Sequence, residues 1–295
     1  MYKTIKDLSK KDQNHLPTNQ DIDSYNNKGW YISPIMIEAS VIDDALQGVD
    51  EFYKGEKDFN FLHSSRIADE EYSDAMAIRN NEFVAHQNKK LRALAFHPLI
   101  SATASLLAQT KEIRYFADSL INKVPEKPTS KGVVGWHSDK AYWPTCSSNK
   151  MLTAWIPLQD CTIEMGPLMH LDKSHLWKDD LELKTYFSFN NQNLEKFNDF
   201  LVNTKKNPTK SYMTLKKGQV SFHNCHTIHC SAPNVSHSNR LALAVHLQDK
   251  NNAFTLKKDV NNKIINISYD DLCEKDEQGL PNYSDKNIFP TLFSV

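Results

Sequence analysis

His137 and Asp139 stand two residues apart in the run Trp136-His137-Ser138-Asp139. On a β-strand that spacing places both side chains on one face. A neutral imidazole beside a carboxylate makes two thirds of a metal site. A third ligand from a distant strand would complete the 2-His-1-carboxylate facial triad of non-haem Fe(II) oxygenases, with positions left open for a co-substrate and O2. A His-x-Asp triplet in a chain with 12 histidines is a weak signal alone. The aromatic flanks Trp136 and Tyr142-Trp143 strengthen it, because they would wall a pocket and keep water from a reactive oxidant.

His223, His226 and His229, spaced by three, are the candidates for the third ligand. A His-rich tract of this kind can also hold zinc by itself, and that reading predicts that His137→Ala would leave the metal bound. His229 is the preferred ligand for iron. Ser231 follows it at strand spacing, and Arg240 follows eleven residues on, at the start of an alternating segment with Ala242 and Ala244 on the same face. A guanidinium buried inside a barrel requires an anion, and its fork fits a carboxylate at two points. A dicarboxylate that chelates the metal at one end and meets Arg240 and Ser231 at the other satisfies all of these residues.

The elements that must position them begin with helices and end in strands. Residues 1–20 read as a polar, irregular lead-in. A helical stretch from Asp21 leads to a short strand over 29–34. An amphipathic helix follows over 41–55, then a helical region over 80–110 that Pro98 punctuates. Alternation predicts strands over 113–124, 151–158, 212–215, 219–223 and 241–247, which makes a mostly antiparallel β core. A polar insertion over 178–210 reads as a helical excursion or a lid. Residues 249–285 are polar with little core potential, before 288–290 dock back.

The 295 residues suffice for one domain with a sizeable core, with 40% hydrophobic and 24% charged residues. A net charge of −1 gives no field for nucleic acid or an anionic membrane. No apolar run is long enough to span a bilayer, and the N-terminal residues lack the apolar stretch of a secretory signal. The five cysteines form no CxxC pair and read as reduced, buried fillers in a cytoplasmic protein. The expected partner is a small molecule.

Over residues 20–250 the chain resembles the phytanoyl-CoA dioxygenase (PhyH) family of Fe(II)/2-oxoglutarate-dependent oxygenases, which also contains ectoine hydroxylase. The resemblance rests on His137-Ser138-Asp139, on His229-Cys230-Ser231-Ala232-Pro233-Asn234 and on Arg240. Thr153 to Asp160, Gly166-Pro167-Leu168 and Lys173-Ser174-His175 add to it, with Lys173 where the family usually has Gly. It implies a mainly β (α+β) fold, a double-stranded β-helix or jelly roll over about 113–250 with N-terminal helices packed on it. It further implies Fe(II) on His137, Asp139 and His229, with 2-oxoglutarate and O2 as co-substrates. Arg240, Ser231 and Lys123 would seat 2-oxoglutarate, and the outcome would be hydroxylation with release of succinate and CO2. Asp139 argues against halogenation, which needs that position small. Trp143 matches a pocket aromatic of the ectoine-hydroxylase branch, and Tyr142 and Lys140 join it as expected substrate-side residues. Two alternatives remain. One is the same chemistry on a CoA- or carrier-bound acyl group, with Lys205-Lys206 and Lys216-Lys217 as its basic strip. The other is a non-catalytic jelly roll that binds a metal or ligand without turnover.

Overall fold

A computed structural model describes residues 4–61, 77–127, 132–177 and 194–294. The N-terminal part is α1 (Lys10–Gln13), α2 (Asn19–Lys28), β1 (Trp30–Ile32), α3 (Ala39–Tyr53), β2 (Ile78–Glu82), α4 (Lys89–Ala95) and α5 (Pro98–Leu107). There follow β3 (Glu112–Lys123), β4 (Val134–His137), α6 (Asp139–Tyr142), β5 (Leu152–Pro157), β6 (Leu168–Leu171) and α7 (Leu194–Asn203). The chain closes with β7 (Lys210–Tyr212), β8 (Ser221–Asn224), β9 (His229–Ser231), β10 (Arg240–Asp249), β11 (Lys257–Lys258), β12 (Ile264–Ile265) and β13 (Thr291–Ser294).

Local chemistry sets the boundaries. Thr18 and Asp21 form a reciprocal cap at the start of α2, and Gly29 ends the helix at φ 88°. A Cβ at Gly29 would lie 2.4 Å from His175 Nδ1, so this turn needs glycine for space as well as for its left-handed backbone. Asn88 caps α4 by accepting from Lys90 N and Leu91 N, and Pro98 opens α5 where its missing N–H costs nothing.

Two antiparallel sheets make the β core. The larger runs β1-β8-β5-β10-β3-β13, with β2 also on β3, and the smaller runs β4-β9-β6-β7. One face of the larger sheet packs on the helices through Leu91, Ile100, Phe116, Leu243 and Val245. The other face meets the smaller sheet. Trp155, Ala242 and Ala244 from the first and Leu168 from the second share one buried cluster, so the two sheets enclose an interior. This is the expected jelly roll.

Several expectations are corrected. The segment before Asp21 is not irregular throughout: it forms α1 and buries Leu8. Residues 78–82 form β2 on the edge of β3, where a helix was expected to begin near residue 80; their Arg-Asn-Asn-Glu run hides the alternation that a strand normally shows. The strand expected over 212–215 is shifted to Lys210–Tyr212. Residues 249–285 hold far more core than their polarity suggests. Tyr269, Leu272, Cys273 and Tyr283 are buried in the main core, and β13 then pairs with β3. Of the 178–210 insertion, 178–193 lie outside the described residues, while α7 packs on the outer face of the smaller sheet through Phe197 and Trp136, ring centroids 5.2 Å apart. Ile288 and Phe289 do dock back, with the Ile288 carbonyl accepting from His86 Nε2 at 2.9 Å.

Candidate metal centre

Strand register brings the first two histidines together. His137 and His229 face each other across β4 and β9. Asp139 reaches them by a different route from the one its spacing suggested. β4 ends at His137, Ser138 is extended, and Asp139 is the first residue of α6, so the carboxylate arrives from a strand-to-helix turn. The result is convergent all the same. One ligand atom from each of His137, Asp139 and His229 lies within 4.8 Å of the others, and this is the only such group of His, Cys, Asp and Glu among the described residues.

The surroundings orient each ligand. His137 Nδ1 donates to the Gly135 carbonyl at 2.8 Å, and His229 Nδ1 donates to the Thr227 carbonyl at 3.0 Å. A carbonyl can only accept, so both Nδ1 atoms carry the proton and both Nε2 lone pairs are left for a metal. Burial pushes both imidazoles down, His229 well below its ordinary value, which keeps them neutral. Asp139 divides its oxygens. Oδ2 accepts from Thr153 Oγ1 at 2.5 Å and from His223 Nε2 at 3.1 Å, while Oδ1 lies 3.7 Å from His229 Nε2. Burial would raise this carboxyl. The His223 hydrogen bond and the surrounding imidazoles offset that and hold it well below the usual carboxylate range. Thr153 has one proton and gives it to Asp139, so His246 Nδ1 must donate to Thr153 Oγ1, at 2.8 Å.

The other expected residues lie at the far end of the interior. Arg240 and Lys123 are opposite one another across β10 and β3, and both are buried. Lys123 Nζ donates to Ser231 Oγ and to the Ala232 carbonyl, each at 2.6 Å. Burial, followed by the neighbouring Arg240, lowers the Lys123 ammonium well below its ordinary value. Burial brings Arg240 down to about 10. The Arg240 guanidinium sits 5.4 Å over the Trp155 ring, and its Nε and Nη1 have no hydrogen-bond partner. Ala242 and Ala244 stand between Arg240 and His246 on the same face of β10, and their small side chains leave the space clear.

The substrate-side residues separate. Tyr142 stands over the metal end, its ring 5.5 Å from that of His137. Trp143 is buried edge-on against His246 at 4.9 Å and against Phe116. Lys140 is engaged by the following loop: its Nζ donates to the Cys146 and Ser148 carbonyls. Trp136 does not wall the site either, because it packs outward on α7. No zinc cluster forms at His223, His226 and His229, since His226 Nε2 bonds Asn149 Oδ1 and His223 serves Asp139. Sequence reasoning missed Thr153 and His246, which support Asp139, and considered His223 as an alternative ligand without foreseeing its hydrogen bond to Asp139. The alternation of 151–158 and 241–247 placed Thr153 and His246 on strands, and only the pairing of β5 with β10 shows that they meet.

No curated protein is significantly similar in sequence to the chain. Solved structures are similar in fold. The non-heme α-ketoglutarate-dependent epimerase SnoN, in complex with Fe3+, α-ketoglutarate and nogalamycin RO, superposes with a TM-score of 0.65 at 20% identity, covering 92% of this chain and 97% of that one. The non-heme α-ketoglutarate-dependent carbocyclase SnoK from nogalamycin biosynthesis gives 0.62 at 21% identity over 86% and 89%. EctD from S. alaskensis with 2-oxoglutarate and 5-hydroxyectoine gives 0.64 at 18% identity over 84% and 81%. The family model for phytanoyl-CoA dioxygenase (PhyH) matches residues 27–242, a span that holds all three metal-site residues together with Arg240, Ser231 and Lys123, and the chain belongs to that family.

Proposed function

We propose that the protein is an Fe(II)/2-oxoglutarate-dependent oxygenase that hydroxylates a small-molecule substrate, with release of succinate and CO2. The observation that carries this reading is the buried pair Arg240 and Lys123, which meets no carboxylate among the described residues, on the interior that also holds His137, Asp139 and His229. Two adjacent buried cations are costly without a counter-charge. A dicarboxylate that ends on a metal supplies that charge, and the unbonded Nε and Nη1 of Arg240 are the donors to meet it. A plain metal-binding jelly roll has no use for this clamp.

When bound, Fe(II) and 2-oxoglutarate supply O2 activation coupled to decarboxylation of the 2-oxo acid. The chain's own residues do the rest. His137 and His229 present neutral Nε2 donors, and Asp139 presents Oδ1 while Thr153 and His223 hold Oδ2. Arg240, Ser231 and Lys123 fix the far carboxylate. Trp155, Leu168 and Met213 keep the interior apolar and exclude water. Tyr142 and Trp143 border the metal end, where a substrate would sit. Similar structures include a carbocyclase and an epimerase, so substrate placement selects among outcomes on this frame, with hydroxylation as the default. Of the basic strip that a carrier-bound substrate would use, Lys216 pairs with Asp160 at 2.8 Å and Lys217 with Asp43 at 2.5 Å.

The test is turnover. Protein supplied with Fe(II), ascorbate, 2-oxoglutarate and a panel of small molecules should form succinate, with a substrate stimulating it at least about tenfold. Arg240→Ala should lower the rate by about a hundredfold or more, the scale for leaving a buried ionic contact unmade. Succinate formation no faster than without enzyme, across the panel and the carrier-bound acyl groups, would contradict the reading.

A further inference from the structure

His170 is a histidine that the metal centre does not account for. It lies on β6, directly opposite His229 on β9, while His137 lies opposite His229 on β4. Cross-strand partners share a face. Three imidazoles therefore stand abreast across the smaller sheet, and the outer two flank the ligand His229. The alternation of β6 agrees: Leu168 joins the interior cluster with Trp155, while Met169 and Leu171 pack outward with Trp136 and Phe197. His170 thus faces inward at the height of the metal, its ring 5.7 Å from that of His229 and 4.8 Å from that of His223.

Its polar atoms are unmet. His170 is completely buried, and neither Nδ1 nor Nε2 has a hydrogen-bond partner. Such a group weakens a fold, and an apolar side chain would fill the same place without the cost. It is not part of the candidate metal group, which among the described residues consists of His137, Asp139 and His229. His223 Nδ1 is unpartnered beside it. The neutral His170 ring has one N–H to give, into a region where the metal-bound end of an anionic ligand would lie.

We propose that His170 donates a hydrogen bond to the metal-chelating 2-oxo-carboxylate end of the co-substrate, opposite the end held by Arg240, Ser231 and Lys123. The proposal rests on the 2-oxoglutarate reading above. It places an otherwise unsatisfied group at each end of the co-substrate, His170 at one and Arg240 at the other, and it explains why a buried strand carries an imidazole between Met169 and Leu171.

The experiment is an anaerobic titration of Fe(II)-loaded protein with 2-oxoglutarate, read by calorimetry and by the visible charge-transfer absorption of the chelate, on the wild type, His170→Phe and His170→Gln. His170→Phe should weaken 2-oxoglutarate binding about tenfold or more, the scale of a hydrogen bond to a charged group. It should also shift the absorption maximum. It should leave Fe(II) affinity in the absence of 2-oxoglutarate unchanged and should not lower the melting temperature of the metal-free protein. His170→Gln keeps an N–H donor and should recover part of the affinity. Wild-type affinity and an unshifted band in folded His170→Phe would overturn the proposal, as would loss of Fe(II) affinity in the absence of 2-oxoglutarate. Failure of the wild type to bind 2-oxoglutarate would be a different result, overturning the oxygenase reading on which the proposal stands.

Discussion

Asp139 gives one oxygen to the protein and turns the other toward the two histidines of the candidate metal site. The Thr153 hydroxyl and the His223 ring hold Oδ2, and His246 in turn holds the hydroxyl, so a relay of three side chains from β5, β8 and β10 fixes the carboxylate. Removing the hydroxyl with Thr153→Val should weaken Fe(II) binding by about ten- to a hundredfold, as loss of a partner that orients a ligand usually does. Competition against a chromophoric chelator measures this, and Thr153→Ser should restore most of the affinity. Unchanged affinity in Thr153→Val would show that His223 alone positions the carboxylate. Lys173 is informative for another reason. It occupies the left-handed region at φ 65°, where the family usually has glycine, so the turn is kept while its residue is not.

At the scale of elements, much was legible because strands with one face inward alternate. Segments 113–124, 151–158 and 241–247 all became central strands, and the register of β10 put Arg240, Ala242 and Ala244 on one face as their spacing required. The ligand residues were legible by type, but Asp139 was not by element, because a single extended residue, Ser138, separates the end of β4 from α6. The C-terminal arm was illegible for a compositional reason. Its few apolar residues, Tyr269, Leu272 and Tyr283, are spread among exposed Asp, Asn and Lys, and they enter the core one at a time rather than as a face. That arm is clasped to the rest of the protein through His86, whose Nε2 donates to the Ile288 carbonyl between ring contacts from Phe61, Phe83 and Tyr115. Burial lowers the His86 pKa from 6.5 to about 4. As pH falls through that window the unfolded chain takes up a proton that the folded chain refuses, so stability falls with pH, by up to about 3 kcal/mol from this residue. Urea unfolding between pH 7 and 4 should show a slope in the wild type that is shallower by one proton in His86→Gln. Parallel slopes would contradict the assignment.

For the whole molecule, two sheets close on an interior that is polar at its two ends and apolar in its walls. The candidate metal ligands stand at one end and Arg240 and Lys123 at the other, while Trp155, Leu168, Met213 and the two alanines line the space between. The net charge of −1 hides this, because the cations that matter are inside. On the proposed function the two ends bind one molecule, a 2-oxo dicarboxylate, together with Fe(II). Anaerobic titration of metal-free protein with Fe(II) and then 2-oxoglutarate tests it most directly, followed by the weak visible charge-transfer absorption of the chelate, on the wild type, Asp139→Ala and Arg240→Ala. The absorption should develop in the wild type, be missing in Asp139→Ala, and need a much higher 2-oxoglutarate concentration in Arg240→Ala. If the wild type binds Fe(II) but develops no such absorption, or if Arg240→Ala binds 2-oxoglutarate as tightly as the wild type, the account is contradicted.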